Sequence, residues 1–182
     1  MAVRKVLRMG HPTLRRVARP VSNKEATSEP IARLVEDMVE TLHDYGGIGL
    51  AAPQVNESIR LAIIEIPSMG SRYGDLEPMP LTVFINPVVT VLDASTSGYW
   101  EGCLSLPGLR GWVERPQHIR VDYKDLNFGS HSREFGGFQA TVFQHEFDHL
   151  DGTLFVDRMT DTSRLVFEEE YVKYGLSDTL DE

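Results

Sequence analysis

The stretch QHEFDHLDG, residues 144–152, places two histidines four positions apart, with a glutamate directly after the first. On a helix, positions i and i+4 share a face with β-carbons about 5–6 Å apart, so His145 and His149 can bind one cation. Glu146 lies about 100° further round the helix and can reach a water molecule beside that cation. The stretch therefore predicts a helix over 139–150 that carries a metal site.

The two faces of this predicted helix differ in character. Both contain bulky apolar residues, but only one of them also carries the histidines. A face that combines ligands with apolar groups is typical of a pocket wall, whereas a purely apolar face is suited to packing on a sheet. The packing face comprises Ala140, Phe143, Phe147 and Leu150, and the pocket face comprises Phe138, Val142, His145 and His149.

A catalytic metal site needs a third protein ligand and one position left open. Zinc proteases with the same H-E-x-x-H pattern take that ligand downstream, as a histidine or an acidic residue. No histidine follows His149, which argues against the best-defined variant. The single cysteine, Cys103, lies upstream in YWEGCLSLPGLRG, residues 99–111. From the residues alone, Cys103 is either the third ligand or a small buried apolar side chain. The two histidines are likewise either ligands or surface residues of an amphipathic helix.

A third stretch, GGIGLAAPQV at residues 46–55, is glycine-rich but lacks the G-K-[ST] sequence of a phosphate-binding loop. A helix end, a tight turn and a buried strand account for each of its residues except Gln54. A glutamine in an apolar run needs hydrogen-bond partners, so Gln54 is either a hydrogen-bonding core residue or a donor in the site. Taken alone, the stretch favours the core role.

The rest of the chain predicts an α+β fold with a mostly antiparallel sheet. No domain boundary is visible, so residues 1–182 are expected to form one domain. A Gly- and Pro-rich segment, 67–80, predicts a surface loop. The predicted helices cover 28–45, 139–150 and 161–174, and the predicted strands cover 59–66, 81–92, 118–126 and 131–138.

Composition narrows the class of protein. The chain has 182 residues, one cysteine and a formal net charge of -9. One cysteine allows no internal disulfide, which fits a reducing compartment. With no signal peptide and no apolar run long enough to span a bilayer, a soluble cytoplasmic protein without a membrane partner is expected. The acidic balance, with six acids against one lysine in residues 168–182, argues against a nucleic-acid surface and against docking on ribosomal RNA through this end.

Three segments together resemble the signature motifs of the peptide deformylases. GIGLAAPQ (47–54), EGCLS (101–105) and QHEFDHL (144–150) match those motifs in order and spacing. Nearly the whole chain can be placed on the family, although only these three segments are specific. The resemblance implies an α+β fold in which antiparallel β-sheets wrap around a central metal-binding helix.

By this resemblance the protein is a metal-dependent hydrolase that removes the N-formyl group from the initiator methionine of newly made proteins and releases formate. Its partners would be N-formylmethionyl nascent peptides. Cys103, as a thiolate, would hold one divalent metal ion together with His145 and His149. Ligand chemistry alone favours Zn²⁺ for such a donor set. The resemblance instead implies Fe²⁺ as the native ion, with Zn²⁺, Ni²⁺ or Co²⁺ able to substitute.

The resemblance also implies roles for the residues around the metal. Glu146 would accept a proton from the attacking water and pass it to the leaving amine. The side-chain amide of Gln54 and the backbone N–H of Leu104 would stabilise the oxyanion. The remaining substrate contacts would be Gly49 and Gly102 beside the peptide backbone, Phe138 and Val142 in the methionine pocket, and Arg110 near its mouth.

Two other classes of function remain open on the sequence. A small zinc endopeptidase would share H-E-x-x-H but would have no use for Cys103 or Gln54. A non-catalytic metal-binding or redox-sensing protein would keep the three ligands and make Glu146 dispensable.

Overall fold

Two α-helices precede the first strand of the described chain. The computed structural model describes residues 2–67 and 77–174, so most of the loop predicted over 67–80 lies outside the described residues. The short helix α1 (Asn23–Ala26) begins with a reciprocal capping box between Ser22 and Glu25. Helix α2 (Glu29–Tyr45) has a proline in its first turn and ends at Gly46, which adopts the left-handed conformation with φ 66°. The helix predicted over 28–45 is confirmed.

Within the described residues, six strands form one hydrogen-bonded antiparallel sheet. Strands β1 to β5 lie side by side in chain order, and β6 pairs with β4. All strands predicted within the described residues are present, and the α+β fold class is confirmed. The strands are β1 (Gly49–Ala51), β2 (Leu61–Ile66), β3 (Met79–Cys103), β4 (Leu106–Lys124), β5 (Ser130–Gly136) and β6 (Leu165–Phe167).

Strands β3 and β4 are much longer than the segments predicted at 81–92 and 118–126. Their pairing continues past several register shifts as far as Cys103 and Leu106, where a two-residue turn joins them. Such irregularities bend a strand without ending its ladder. Gly98 and Pro107 interrupt the strand pattern in the sequence, so the sequence does not predict the full length of the hairpin. The pairing of β3 with β4 shows it. Its tip delivers Cys103 to the centre of the molecule.

Helices cover both faces of the sheet. The alternate side chains of strand β2 pack in two different hydrophobic clusters, one on each face. Leu61 and Ile63 pack in the cluster that contains the apolar face of α2. Ala62, Ile64 and Ile66 pack on the opposite side, in the cluster that contains the second long helix. Successive side chains of a strand point to opposite faces, so the unbroken apolar run LAIIEI fits a strand that is buried on both sides.

That second long helix, α3 (Gly137–Asp148), continues as a 3-10 turn over His149–Asp151 and ends at Gly152 with φ 70°. Its predicted packing face is confirmed: Phe143 and its neighbours on that face are fully or almost fully buried against the sheet. Phe143 stacks on Phe135 of β5 at 3.9 Å between ring centroids. The helix therefore lies in the core with its histidine face turned towards the tip of the β3–β4 hairpin.

The helix predicted over 161–174 is wrong in its first half. The segment forms a 3-10 turn (Thr162–Arg164), then β6, and only then helix α5 (Glu168–Tyr174). A short helix, α4 (Phe155–Arg158), precedes it. The sequence LVF has β-branched and aromatic residues that suit a strand, and β4 offers Leu109–Gly111 as a pairing partner. Among the described helices, none is both long enough and apolar enough to cross a membrane.

Candidate active site

Three potential metal ligands meet at the centre of the fold. Cys103 ends strand β3, His145 lies in the last turns of α3, and His149 begins its 3-10 extension. One donor atom from each lies within 4.8 Å of the others. Cys103 Sγ is 3.3 Å from His149 Nε2. The cluster expected from the sequence is therefore formed, and one thiolate with two imidazoles suits a first-row divalent metal such as Zn²⁺ or Fe²⁺.

The surroundings of Cys103 favour the thiolate that metal binding requires. Burial raises the pKa of this thiol, but the charge on His149 and a hydrogen bond to His145 outweigh burial and lower the pKa to about 5. The backbone N–H of Ser105 also points at Sγ, at 3.4 Å. A thiolate is the form of cysteine that ligates metals, so the site favours the ligating state.

A chain of charged groups, buried except for Arg158 at its end, orients His145. Its Nδ1 lies 2.7 Å from Glu101 Oε2. Arg115 donates two hydrogen bonds to Glu101, at 2.6 and 3.0 Å, and a third to Asp148 at 2.8 Å. Arg158 closes the chain with two bonds to Asp148. Because Nδ1–H is directed at a carboxylate, Nε2 keeps its lone pair for a metal.

Sequence reasoning missed this chain of charges. Glu101 and Asp148 belong to the second and third motifs but had no predicted role, and Arg115 belongs to none. Burial raises the pKa of Glu101. The hydrogen bond to His145 and the charge of Arg115 lower it by more than burial raises it, so the net pKa is below its ordinary value. Glu101 therefore stays ionised although its side chain is almost completely buried.

Glu146 lies beside the three ligands in a tightly enclosed position. It is buried, and burial raises the pKa of its carboxyl group. Its Oε2 atom is buried without a hydrogen-bond partner among the described residues. Buried carboxylate oxygens are normally paired, so this free oxygen marks a place where a ligand or a water molecule is expected to bind.

Gly49 makes room for that carboxylate. A Cβ atom at Gly49 would lie only 2.5 Å from Glu146 Oε1. Gly102 has a similar relation to Arg110, because a Cβ there would lie 2.9 Å from Arg110 Nη1. The sequence suggested that both glycines leave space for the substrate backbone. A side chain at either position would force Glu146 or Arg110 to move, so contacts within the protein also favour a glycine there.

Hydrogen bonds hold both ends of the Gln54 side-chain amide. Its side chain is almost completely buried, and its Oε1 accepts a hydrogen bond from Ala51 N at 2.8 Å. Its Nε2 donates to Ser105 Oγ at 3.1 Å and also points at Cys103 Sγ, at 3.6 Å. The fixed carbonyl end determines the direction of the amide, so the donor end is held towards the metal ligands.

A cavity of about 730 Å³ opens over these groups. A smaller cavity adjoins it and shares the walls formed by Ile48, Gly102, His145 and Glu146. Phe138 and Val142 line the smaller cavity only. His149 is buried and lines neither cavity. The predicted residues that line the large cavity are Gly49, Gln54, Gly102, Cys103, Leu104, Arg110, His145 and Glu146.

The sequence profile of the polypeptide deformylases matches residues 3–165. The chain belongs to the peptide deformylase family. It is 41% identical over 170 residues to the peptide deformylase of Leptospira biflexa, covering 93% of this chain and 95% of that protein. It is 42% identical over 165 residues to peptide deformylase 2 of Pseudomonas syringae, covering 91% of this chain and 92% of that protein.

Solved structures agree with this membership. The Met-Ala-Ser-bound class I type b peptide deformylase of Acinetobacter baumannii superposes with a TM-score of 0.83 at 37% identity. The match covers 87% of this chain and 99% of that one. The peptide deformylase of Thermotoga maritima gives a TM-score of 0.76 at 35% identity, with 88% and 100% covered. The deformylase function predicted from the motifs is confirmed, and the endopeptidase and non-catalytic alternatives are not favoured.

Proposed function

We propose that this deformylase hydrolyses the formamide bond of N-formylmethionyl peptides, releasing formate and a free amino terminus. The observation that carries the proposal is the free, buried oxygen of Glu146 beside the cluster of Cys103, His145 and His149. The tripeptide Met-Ala-Ser bound to the Acinetobacter baumannii relative supports a methionyl peptide as the substrate class. Nascent peptides in the cytoplasm, close to the ribosome, would supply it.

The three ligand atoms fit one divalent metal ion, for which we propose Fe²⁺ as the native choice. When bound, the ion supplies Lewis acidity, which acidifies water and polarises a carbonyl oxygen. Zn²⁺ suits the same donor set by ligand chemistry, and Ni²⁺ or Co²⁺ can replace Fe²⁺. Cys103 is the residue most exposed to damage after loss of the ion, because a bared thiolate oxidises readily.

Glu146 acts as the general base and then as the general acid. Its carboxylate accepts a proton from the water that attacks the formyl carbon, and later gives that proton to the amine as the C–N bond breaks. Burial of this carboxyl group beside the three ligands places it where it can exchange a proton with the attacking water and then with the amine. The Oε2 atom, which has no hydrogen-bond partner among the described residues, is the atom that accepts this proton.

The growing negative charge on the formyl oxygen is stabilised by two donors, the Gln54 amide and the Leu104 backbone N–H. Gln54 fits this role because its Oε1 is fixed by Ala51 and its Nε2 faces the site. A donor that is already oriented does not need to reorganise as charge develops, which is why such donors contribute strongly to the rate.

The substrate methionine is bound by the smaller cavity, with Phe138 and Val142 as its apolar walls. Both residues lie on the face of α3 that also carries His145. The side chain of the methionine would therefore be held within one or two helical turns of the reacting carbon. Gly49, Gly102 and Arg110 border the path of the peptide backbone at the larger cavity.

Formate release under anaerobic conditions tests the proposal. Formyl-Met-Ala-Ser should yield formate and Met-Ala-Ser, whereas acetyl-Met-Ala-Ser should react far more slowly and no internal peptide bond should be cut. Matched samples loaded with Fe²⁺ and with Zn²⁺, with metal content measured on each, separate the activity from the metal identity. Cleavage within the peptide chain would contradict the proposed reaction. Equal rates and equal air stability of the two metal forms would contradict only the choice of Fe²⁺.

A further inference from the structure

The mouth of the large cavity is positively charged although the whole chain has a net charge of -9. Besides His11 and the site histidine His145, three basic side chains line it: Lys5, Arg8 and Arg110. The acidic residues lining the cavity are Glu146 at the catalytic cluster and Glu168 at the mouth. The local sign of charge at the entrance is therefore opposite to that of the molecule.

The N-terminal segment that carries two of these cations is fixed against the site. Leu7 N donates to Gln54 O at 2.8 Å, and Met9 N donates to Ser105 O at 2.8 Å. Arg8 lies between these two hydrogen-bonded residues, so its backbone is held in a fixed position at the rim of the cavity. The same segment is therefore tied to the first and second motifs and contributes to the wall of the cavity.

The three cations differ in whether a protein carboxylate already neutralises them. Glu168, the first residue of α5, accepts hydrogen bonds from Arg110 at 2.6 and 3.2 Å. The side chains of Lys5 and Arg8 are exposed, and neither forms an ion pair with any residue in the described ranges. By contrast, Arg4, one residue before Lys5, pairs with two carboxylates outside the cavity.

We propose that the basic rim, formed by Lys5 and Arg8, binds carboxylates of the substrate peptide. This deformylase would then favour formylmethionyl peptides with acidic residues in the positions that follow the methionine. The inference rests on the proposed function, because the formyl group must reach the buried catalytic cluster while the rest of the peptide leaves through the mouth. Unpaired cations at a cleft entrance attract and orient an anionic ligand. The rest of the surface, which carries the net negative charge, repels the same ligand.

Three peptide amides with acidic, neutral and basic side chains test this inference: formyl-Met-Ala-Asp-Glu, its neutral isostere formyl-Met-Ala-Asn-Gln, and formyl-Met-Ala-Lys-Lys. The C-terminal amide removes the terminal carboxylate, so only the side chains differ in charge. At low ionic strength, kcat/KM should be about three- to tenfold higher for the acidic peptide than for the neutral one, the size expected of exposed ion pairs. It should be lowest for the basic peptide, and the differences should shrink at high salt because exposed charges are screened.

Matched double variants locate the effect. Lys5→Gln with Arg8→Gln should reduce the ratio of kcat/KM values, acidic over neutral, to about one. Lys24→Gln with Arg33→Gln removes the same charge from exposed positions on α1 and α2, and should leave the ratio at its wild-type value. Equal kcat/KM for the three peptides, or a preference that survives in the rim variant, would overturn the inference. Absence of formate from the neutral peptide would instead refute the proposed function itself.

Discussion

Glu101→Gln is the substitution that most directly tests how His145 is held. The Glu101 carboxylate is 4% exposed and is shared between Arg115, at 2.6 and 3.0 Å, and His145 Nδ1, at 2.7 Å. Glutamine has the same shape but replaces one acceptor with an NH2 group. Arg115 is a donor, and so is His145 Nδ1 in the tautomer that leaves Nε2 free for a metal. In that tautomer one bond becomes a donor–donor contact, and Arg115 loses its closest counter-charge.

The expected size of the effect follows from this geometry. Removing one partner of a buried ion pair typically costs about 3–5 kcal/mol. Arg115 keeps Asp148 at 2.8 Å, so the loss should fall near the lower end, about 3 kcal/mol. For a chain of this length, that corresponds to a decrease in Tm of roughly 6–12 °C. Losing the group that orients a ligating histidine should also weaken metal binding by about 10–100-fold.

Two measurements and one control separate these effects. Thermal unfolding of the metal-free protein reports the ion pair, and competition with a chromophoric chelator reports the affinity for Zn²⁺. Glu114→Gln makes the same chemical change at an exposed position on β4, and should leave both quantities close to wild type. A Glu101→Gln protein with wild-type Tm and wild-type metal affinity would refute the role assigned to the buried chain of charges.

Four further predictions concern single side chains. Glu146→Gln should retain the metal and lose nearly all turnover, and a variant with a tenth of wild-type kcat would contradict its role as the base. Gln54→Ala should lower kcat by about 10²–10³ with a much smaller change in KM; a lower Tm with intact kcat would restore the core role. Val142→Trp should raise KM for formyl-Met peptides without affecting metal content, and unchanged kinetics would place the methionine elsewhere. The Ser22 N–H lowers the pKa of Glu25 from 4.5 to about 2. Its stabilising contribution should therefore be complete above about pH 4.5 and lost as pH falls through 2. NMR titration of the Glu25 carboxyl group in the folded protein should give a pKa of about 2, and a value near 4.5 would contradict the prediction.

The sequence predicted the parts of the site that depend on local spacing. His145, Glu146 and His149 fall within one helical segment, so their mutual placement follows from helix geometry alone. Helix α2 was likewise defined by its periodicity and its terminal residues. Cys103 could be connected to the histidines only through the family motifs, because no local rule links positions more than forty residues apart.

The chain of charges behind His145 could not be predicted for a related reason. Charged residues are mostly exposed unless they are paired, and Glu101 pairs with Arg115 only because the β3–β4 hairpin places the two strands side by side. The sequence predicted only the far parts of this hairpin. Without the pairing around its tip, nothing in the sequence distinguishes the buried Arg115 from the exposed Glu114 beside it.

The sequence predicted a helix where β6 lies, because the same residues are compatible with a helix and with a strand. SRLVFEEEYVKY has apolar residues at spacings compatible with a helix, and acidic residues that suit its first turn. The available edge at Leu109–Gly111 decides in favour of a strand for Leu165–Phe167. This tertiary contact has a consequence for the site, since it carries Glu168 to Arg110 at the cavity mouth.

The charges around the site form two groups, and each balances when a divalent ion is bound. The outer group consists of Glu101, Arg115, Asp148 and Arg158, two carboxylates and two guanidinium groups joined by hydrogen bonds. The inner group would consist of the Cys103 thiolate, the Glu146 carboxylate and a 2+ ion, with both histidines neutral. Because the outer group is already neutral, it cannot compensate the two inner anions when the ion leaves. Burial without a counter-charge favours the protonated form of the Glu146 carboxyl group. The raised pKa of Glu146 in the metal-free protein is consistent with this, and metal binding is expected to release protons from the site.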